Sequence, residues 1–146
     1  INIMVNTASK IIEIAFEGKV DKAGMPYINH LWRVSEKARN YLWGNKELEV
    51  VAILHDLLED CPEWTKDKLL EEFPNSVVKA VECLTHLDNE SYEEYINRVL
   101  TNEMAIIVKQ FDLEDNLDIT RLKVLNEQDL KRLNKYLKAY HRVVGS

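Results

Sequence analysis

Val50-Val51-Ala52-Ile53-Leu54-His55-Asp56-Leu57-Leu58-Glu59-Asp60 is the stretch whose reading decides this chain. Its spacing predicts one helix from about Glu47 to Asp60, stopped by Pro62. At about 100° per residue, Val50, Val51, Leu54, Leu57 and Leu58 form one apolar stripe. His55, Asp56, Glu59 and Asp60 fall on the opposite side, with 55 above 59 and 56 above 60. An imidazole beside a carboxylate can share a divalent cation, and the next turn can handle the proton of an activated water. An ordinary amphipathic helix with a solvated acidic face has the same pattern, and the segment alone leaves both readings open.

The rest of the chain narrows the setting. Its 146 residues fit one domain, residues 1–146, and can bury a real core. With 46% hydrophobic and 30% charged residues it reads as soluble and globular. The apolar runs are too short to span a bilayer and no signal peptide is visible, so no membrane role is expected. The chain opens on Ile1, which leaves the native start open between a truncation and Met4. Cys61 and Cys83 have neither metal-motif nor disulfide-framework spacing, and free thiols in a reducing cytoplasm are the simpler account. A net charge of −6 argues against nucleic acid as the main partner, because phosphate backbones need clustered Lys and Arg. A small anionic substrate needs only a few local cations. Whether the chain forms a homo-oligomer is left open.

Apolar residues recur at spacings of three and four throughout, and strand-like alternation is absent. The expectation is an all-α protein, a single compact helical bundle. Helices are expected from Ser9 to Phe16, from Pro26 to about Leu42 with Gly44-Asn45 closing it, and across the His55 segment. A polar loop joins the first two over Gly18 to Met25. Thr65 caps a short helix through Phe73, and Asn75 or Ser76 opens another through Leu84. Ser91 with Glu94 marks a capping box for Tyr92 to Leu100, and Asn102 caps a helix reaching Phe111. A last amphipathic helix, residues 127–143, carries Leu130, Leu133, Leu137 and Tyr140.

One helix cannot complete a metal shell. His30, on the second helix, and Asp112, after the apolar run Ile106-Ile107-Val108, are the further candidates. With His55 and Asp56 they form a two-imidazole, two-carboxylate set from three helices, which is how a bundle builds an interior metal site. Such ligands suit Mn²⁺, Fe²⁺ or another six-coordinate divalent ion better than Mg²⁺ or structural zinc.

Three blocks, Gly24-Met25-Pro26-Tyr27-Ile28-Asn29-His30, Ala52 to Asp60, and Val108-Lys109-x-x-Asp112-x-x-x-Asn116, resemble the HD superfamily of metal-dependent phosphohydrolases. Their order and content are similar to its alarmone-hydrolase branch, the (p)ppGpp hydrolase domain of RelA/SpoT proteins and the stand-alone small alarmone hydrolases. The resemblance runs from about residue 9 to 120. It implies an HD-type helical fold and one divalent ion held by His30, His55, Asp56 and Asp112. It further implies an acidic pair, Glu59 and Asp60, that handles the attacking water, and contacts from Asn116 and Lys22 to a nucleotide-like substrate. Tyr92 and Arg98 are candidates to reach substrate phosphate.

The departures concern base recognition. Phe16 stands where the branch usually carries His, Asp21 where it carries a base-stacking Arg, Asp118 where Arg is common, and Leu31 where Pro usually follows the histidine. Hydrolysis of a phosphate ester or pyrophosphate is therefore the expected activity. A non-alarmone nucleotide is an alternative substrate, and a non-catalytic metal- or nucleotide-binding sensor an alternative role. Glu114, Asp115 and Asp118 read as a solvated face, Lys22 and Lys109 as either pocket or surface cations. Trp32, Trp43 and Trp64 read as core or capping aromatics, and His86 and His141 as structural or surface histidines.

Overall fold

The computed structural model describes residues 2–41 and 45–145. Its α-helices are α1 (Ile3–Ala15), α2 (Ile28–Tyr41), α3 (Lys46–Leu54), α4 (Leu57–Asp60), α5 (Lys66–Glu72), α6 (Asn75–Cys83), α7 (Tyr92–Val99), α8 (Glu103–Asn116) and α9 (Glu127–Val143). A 3₁₀ turn, Ile119–Arg121, links α8 to the segment before α9. The all-helical expectation holds, and among the described residues the only extended pairing is a single bridge between Val20 and Pro26.

Side-chain caps set most helix starts. Asn2 accepts from Val5 N, which begins α1 six residues before the expected Ser9. Thr65, Ser91, Asn102 and Asn126 accept from the backbone N–H three residues on, at α5, α7, α8 and α9. At α3 Asn45 does the same toward Leu48. Leu42, Trp43 and Gly44, the expected close of the second helix, lie outside the described residues.

Helix α3 is the axis of the molecule. Every side chain from Leu48 to Leu54 is buried, Glu49 included, and α1, α2, α6 and α8 all pack on it. The expected two-faced helix is corrected for α3: Ala52 and Ile53 are as buried as Val50, Val51 and Leu54, while exposure returns at Glu59 on α4. A helix apolar all round is an interior helix. The expected single helix to Asp60 is corrected too. It stops at Leu54, and α4 resumes at Leu57 with Asp56 at φ −103° and ψ 0°. The Asp60 N–H still reaches Asp56 O, so the interruption redirects the chain by less than a turn. That break turns His55 and Asp56 inward, where they are 1% and 9% exposed.

Helix α9 matches residues 127–143, but its inward side is Ala139 and Val143 with part-buried Tyr136 and Tyr140. Leu130 and Leu137 stay about half exposed. Trp32 and Trp64 pack partly buried against the core, as expected of core aromatics.

Candidate metal centre

His30 on α2, His55 at the α3–α4 break and Asp112 on α8 converge in the interior, each 5% exposed or less. One ligand atom from each lies within 4.8 Å of the other two. His30 Nε2 is 3.0 Å and His55 Nε2 3.4 Å from Asp112 Oδ1. Asp56 Oδ2 approaches the same two nitrogens, at 3.6 and 3.3 Å. Despite these distances, neither Nε2 has a partner in hydrogen-bond geometry among the described residues.

The opposite edge of each ring explains this. His55 Nδ1 lies 2.6 Å from Ala52 O. A carbonyl only accepts, so Nδ1 carries a proton and Nε2 is the nitrogen left to ligate once it is unprotonated. His30 Nδ1 lies 2.6 Å from Asp115 Oδ2, and that carboxylate likewise accepts. Both imidazoles thus present Nε2 to one point, a donor set that fits a divalent cation. A buried imidazole nitrogen without a partner is otherwise unfavourable.

Neighbours hold the carboxylates in turn. Lys109 Nζ donates to Asp112 Oδ2 at 2.8 Å and Asn116 Nδ2 to Oδ1 at 3.0 Å, both from the same face of α8. Burial opposes the charge on Asp112, yet Lys109 and the two histidines hold its carboxyl well below the usual range. Tyr27 donates its hydroxyl to Asp56 Oδ2 at 2.6 Å and stacks on His30. Burial and the Asp56 charge push the Tyr27 hydroxyl far up, so it stays a donor. Burial works against charge on His30, but the Asp112 and Asp115 carboxylates outweigh it and raise it to about 10.

Glu59 and Asp60 part company on α4. Glu59 Oε1 accepts from His86 N at 2.7 Å. Asp60 faces an open cavity of about 450 Å³ that also reaches His30. Burial first, then the Asp56 and Glu59 charges, raise Asp60 to about 7, where a carboxylate exchanges protons near neutrality.

Lys22 and Asn116 line this cavity as expected, joined by Arg121, Arg132 and Tyr136. Asp21 does so with its Oδ1 already accepting from Ala23 N and Met25 N, an Asx turn completed by Gly24 at φ +82°. Tyr92 is not in the lining. Its hydroxyl is buried without a partner among the described residues, and its ring packs near Tyr136, Tyr95 and His86. Arg98 is spent on Glu90 and on the carbonyls of Glu82 and Thr85, which makes it a structural tie rather than a phosphate contact.

One surface reading is corrected, and one open choice is decided for the interior. Asp115 is 5% exposed and pairs with His30 and Arg33, because it lies one helical turn after Asp112 on the face that meets α2. Lys109 is buried against Asp112, Tyr92 and Tyr95. Sequence reasoning missed Tyr27 and Asp115 as site residues, although each sits three positions from a proposed ligand. Arg132 and Tyr136 had no local signal, since only the docking of α9 brings them to the cavity.

No family model matches the chain, and no curated protein matches it by sequence. Among solved structures, it superposes on a metazoan ortholog of SpoT, described as hydrolysing ppGpp and playing a role in starvation responses. The TM-score is 0.82 at 17% identity, over 99% of this chain and 86% of that one. The two chains share this all-helical fold. In this fold the His30, His55 and Asp112 group lies buried between α2, α3 and α8. Among the described residues no helix is long and apolar enough to cross a membrane.

Proposed function

We propose that this chain is a metal-dependent phosphohydrolase acting on a small nucleotide-like phosphate ester or pyrophosphate. The observation that carries the reading is the pair of partnerless Nε2 atoms aimed with Asp112 at one buried point beside a cavity. His30, His55, Asp56 and Asp112 would hold one divalent ion, with Mn²⁺ favoured by two imidazoles among carboxylates and Fe²⁺ or another transition metal as alternatives. Such an ion supplies Lewis acidity to a water and to a phosphoryl oxygen.

Asp60, facing the cavity and poised near neutrality, takes the proton of the attacking water as its oxygen bonds to phosphorus. The bond to the leaving oxygen breaks, and that oxygen takes the proton from Asp60, which returns to the carboxylate. Glu59, anchored to His86 N, orders the turn that carries Asp60. Tyr27 steadies Asp56. Lys22, Arg132 and Asn116, spaced around the cavity, hold the anionic part of the substrate. The fold shared with a protein described as hydrolysing ppGpp supports a guanosine alarmone as one candidate substrate. Asp21 supports a different base, since it offers no cation to stack. A cytoplasmic setting belongs to the same reading, supported by two free thiols.

The test is a panel of nucleotides and guanosine alarmones assayed for phosphate and pyrophosphate release with Mn²⁺, comparing wild type with Asp60→Asn. The substitution is expected to lower turnover by about 10²–10⁴-fold with metal content unchanged. Full turnover by metal-loaded Asp60→Asn would overturn the mechanism.

A further inference from the structure

The two histidines are oriented by different means. His55 is held from within its own helix by the Ala52 carbonyl. His30 is held across the α2–α8 seam by Asp115, a residue the proposed mechanism does not use. Asp115 Oδ2 accepts from His30 Nδ1 at 2.6 Å and from Arg33 at 3.0 Å, and Oδ1 accepts from Arg33 Nε at 2.7 Å. Arg121 donates to the Asp115 carbonyl at 2.6 Å and stands 3.4 Å from Oδ2. A buried carboxylate needs such partners, and two guanidinium groups on one residue balance its charge. Those bonds also fix where the carboxylate points, which is at the ring edge opposite the metal-facing nitrogen.

We infer that Asp115, locked by Arg33 and Arg121, is a positioning residue that sets the tautomer and ring orientation of His30 for metal binding. Asp112 and Asp115 are three apart, so one turn of α8 grips both edges of a single imidazole, with Asp112 on the Nε2 side and Asp115 on Nδ1. A carboxylate on Nδ1–H also raises the basicity of Nε2, which a backbone carbonyl does less strongly. The inference rests on the proposal that the centre holds a metal.

The experiment is Co²⁺ titration of wild type, Asp115→Ala and Asp115→Asn by calorimetry, with proton NMR of the Co²⁺-loaded proteins. Both Nδ1–H protons should appear as shifted exchangeable resonances in wild type. Asp115→Ala is expected to weaken Co²⁺ binding by about 10–100-fold. It should also lose the His30 resonance to exchange while keeping that of His55, whose partner is the backbone. Asp115→Asn, which retains an acceptor, should fall between the two, and it decides the question alone if the alanine variant does not fold. Unchanged affinity with both resonances retained would overturn the positioning role and leave the metal centre standing. A wild-type chain that takes up no Co²⁺ would overturn the metal reading and this role with it.

Discussion

Helix α8 sets Lys109 against Asp112 at 2.8 Å with both side chains buried, and beside them Asp112 meets two imidazoles. In α7, Arg98 meets Glu90 at 2.5 Å with a third of its side chain in solvent, and its remaining donors go to the carbonyls of Glu82 and Thr85. On paper both pairs set a cation against an acid. In α8 the cation neutralises only part of the carboxylate environment, leaving Oδ1 beside two partnerless nitrogens. In α7 the guanidinium is consumed by fixed acceptors and holds the Glu90 carboxyl down at about 2. A charged residue is available for chemistry only where its own fold neighbours leave it unsatisfied.

The largest expected break in this comparison is Asp112→Ala. It removes a proposed ligand and strands the Lys109 charge in the interior, so metal should be lost. The metal-free protein should also lose about 3–5 kcal/mol in denaturant unfolding. Retained metal by elemental analysis would take Asp112 out of the centre.

Next in size is the response of the α8 side to pH. His30, raised from 6.5 to about 10 in the folded chain, must shed its Nε2 proton before it can ligate. Apparent metal affinity should rise about tenfold per pH unit per proton displaced between pH 7 and 9. Without metal the sign for stability is opposite: the folded state binds the proton more tightly than the unfolded. Its contribution is therefore complete below pH 6.5 and lost as pH climbs through about 10. Calorimetric titrations and unfolding midpoints across that range check both slopes, and a flat affinity profile would remove the protonated His30.

Arg98→Ala should have the smallest effect and sharpens the contrast. Stability should fall by about 1–3 kcal/mol as charged hydrogen bonds are lost, with kcat/KM per folded molecule unchanged. A selective fall in kcat/KM would return Arg98 to the substrate site.

Much of the centre was legible in the chain. His30, His55, Asp56 and Asp112 are brought together as the three spaced blocks implied, and Lys22 and Asn116 reach the cavity. His30 and Asp112 lie within 14-residue helices, where spacing reports the face, whereas His55 and Asp56 fall at the α3–α4 break that spacing did not show. Asp115 was misread as solvated because sequence spacing reports a residue's face on its own helix and not what that face meets. Tyr92 failed to line the cavity for a related reason: its helix starts where expected, but the ring turns into the aromatic cluster with Tyr95 and His86.

The sequence by itself determined the helical class, the caps at Thr65, Ser91 and Asn102, and which histidines and carboxylates were candidates to meet, all consequences of local spacing and side-chain chemistry. Only the tertiary structure decided that the chain breaks at His55–Asp56 and turns them inward, and that Glu59 and Asp60 face different partners. It alone paired Asp115 with His30 and brought α9 to the cavity. Those outcomes depend on which helix packs against which, and packing is settled by burial summed over the whole core rather than by neighbours in sequence.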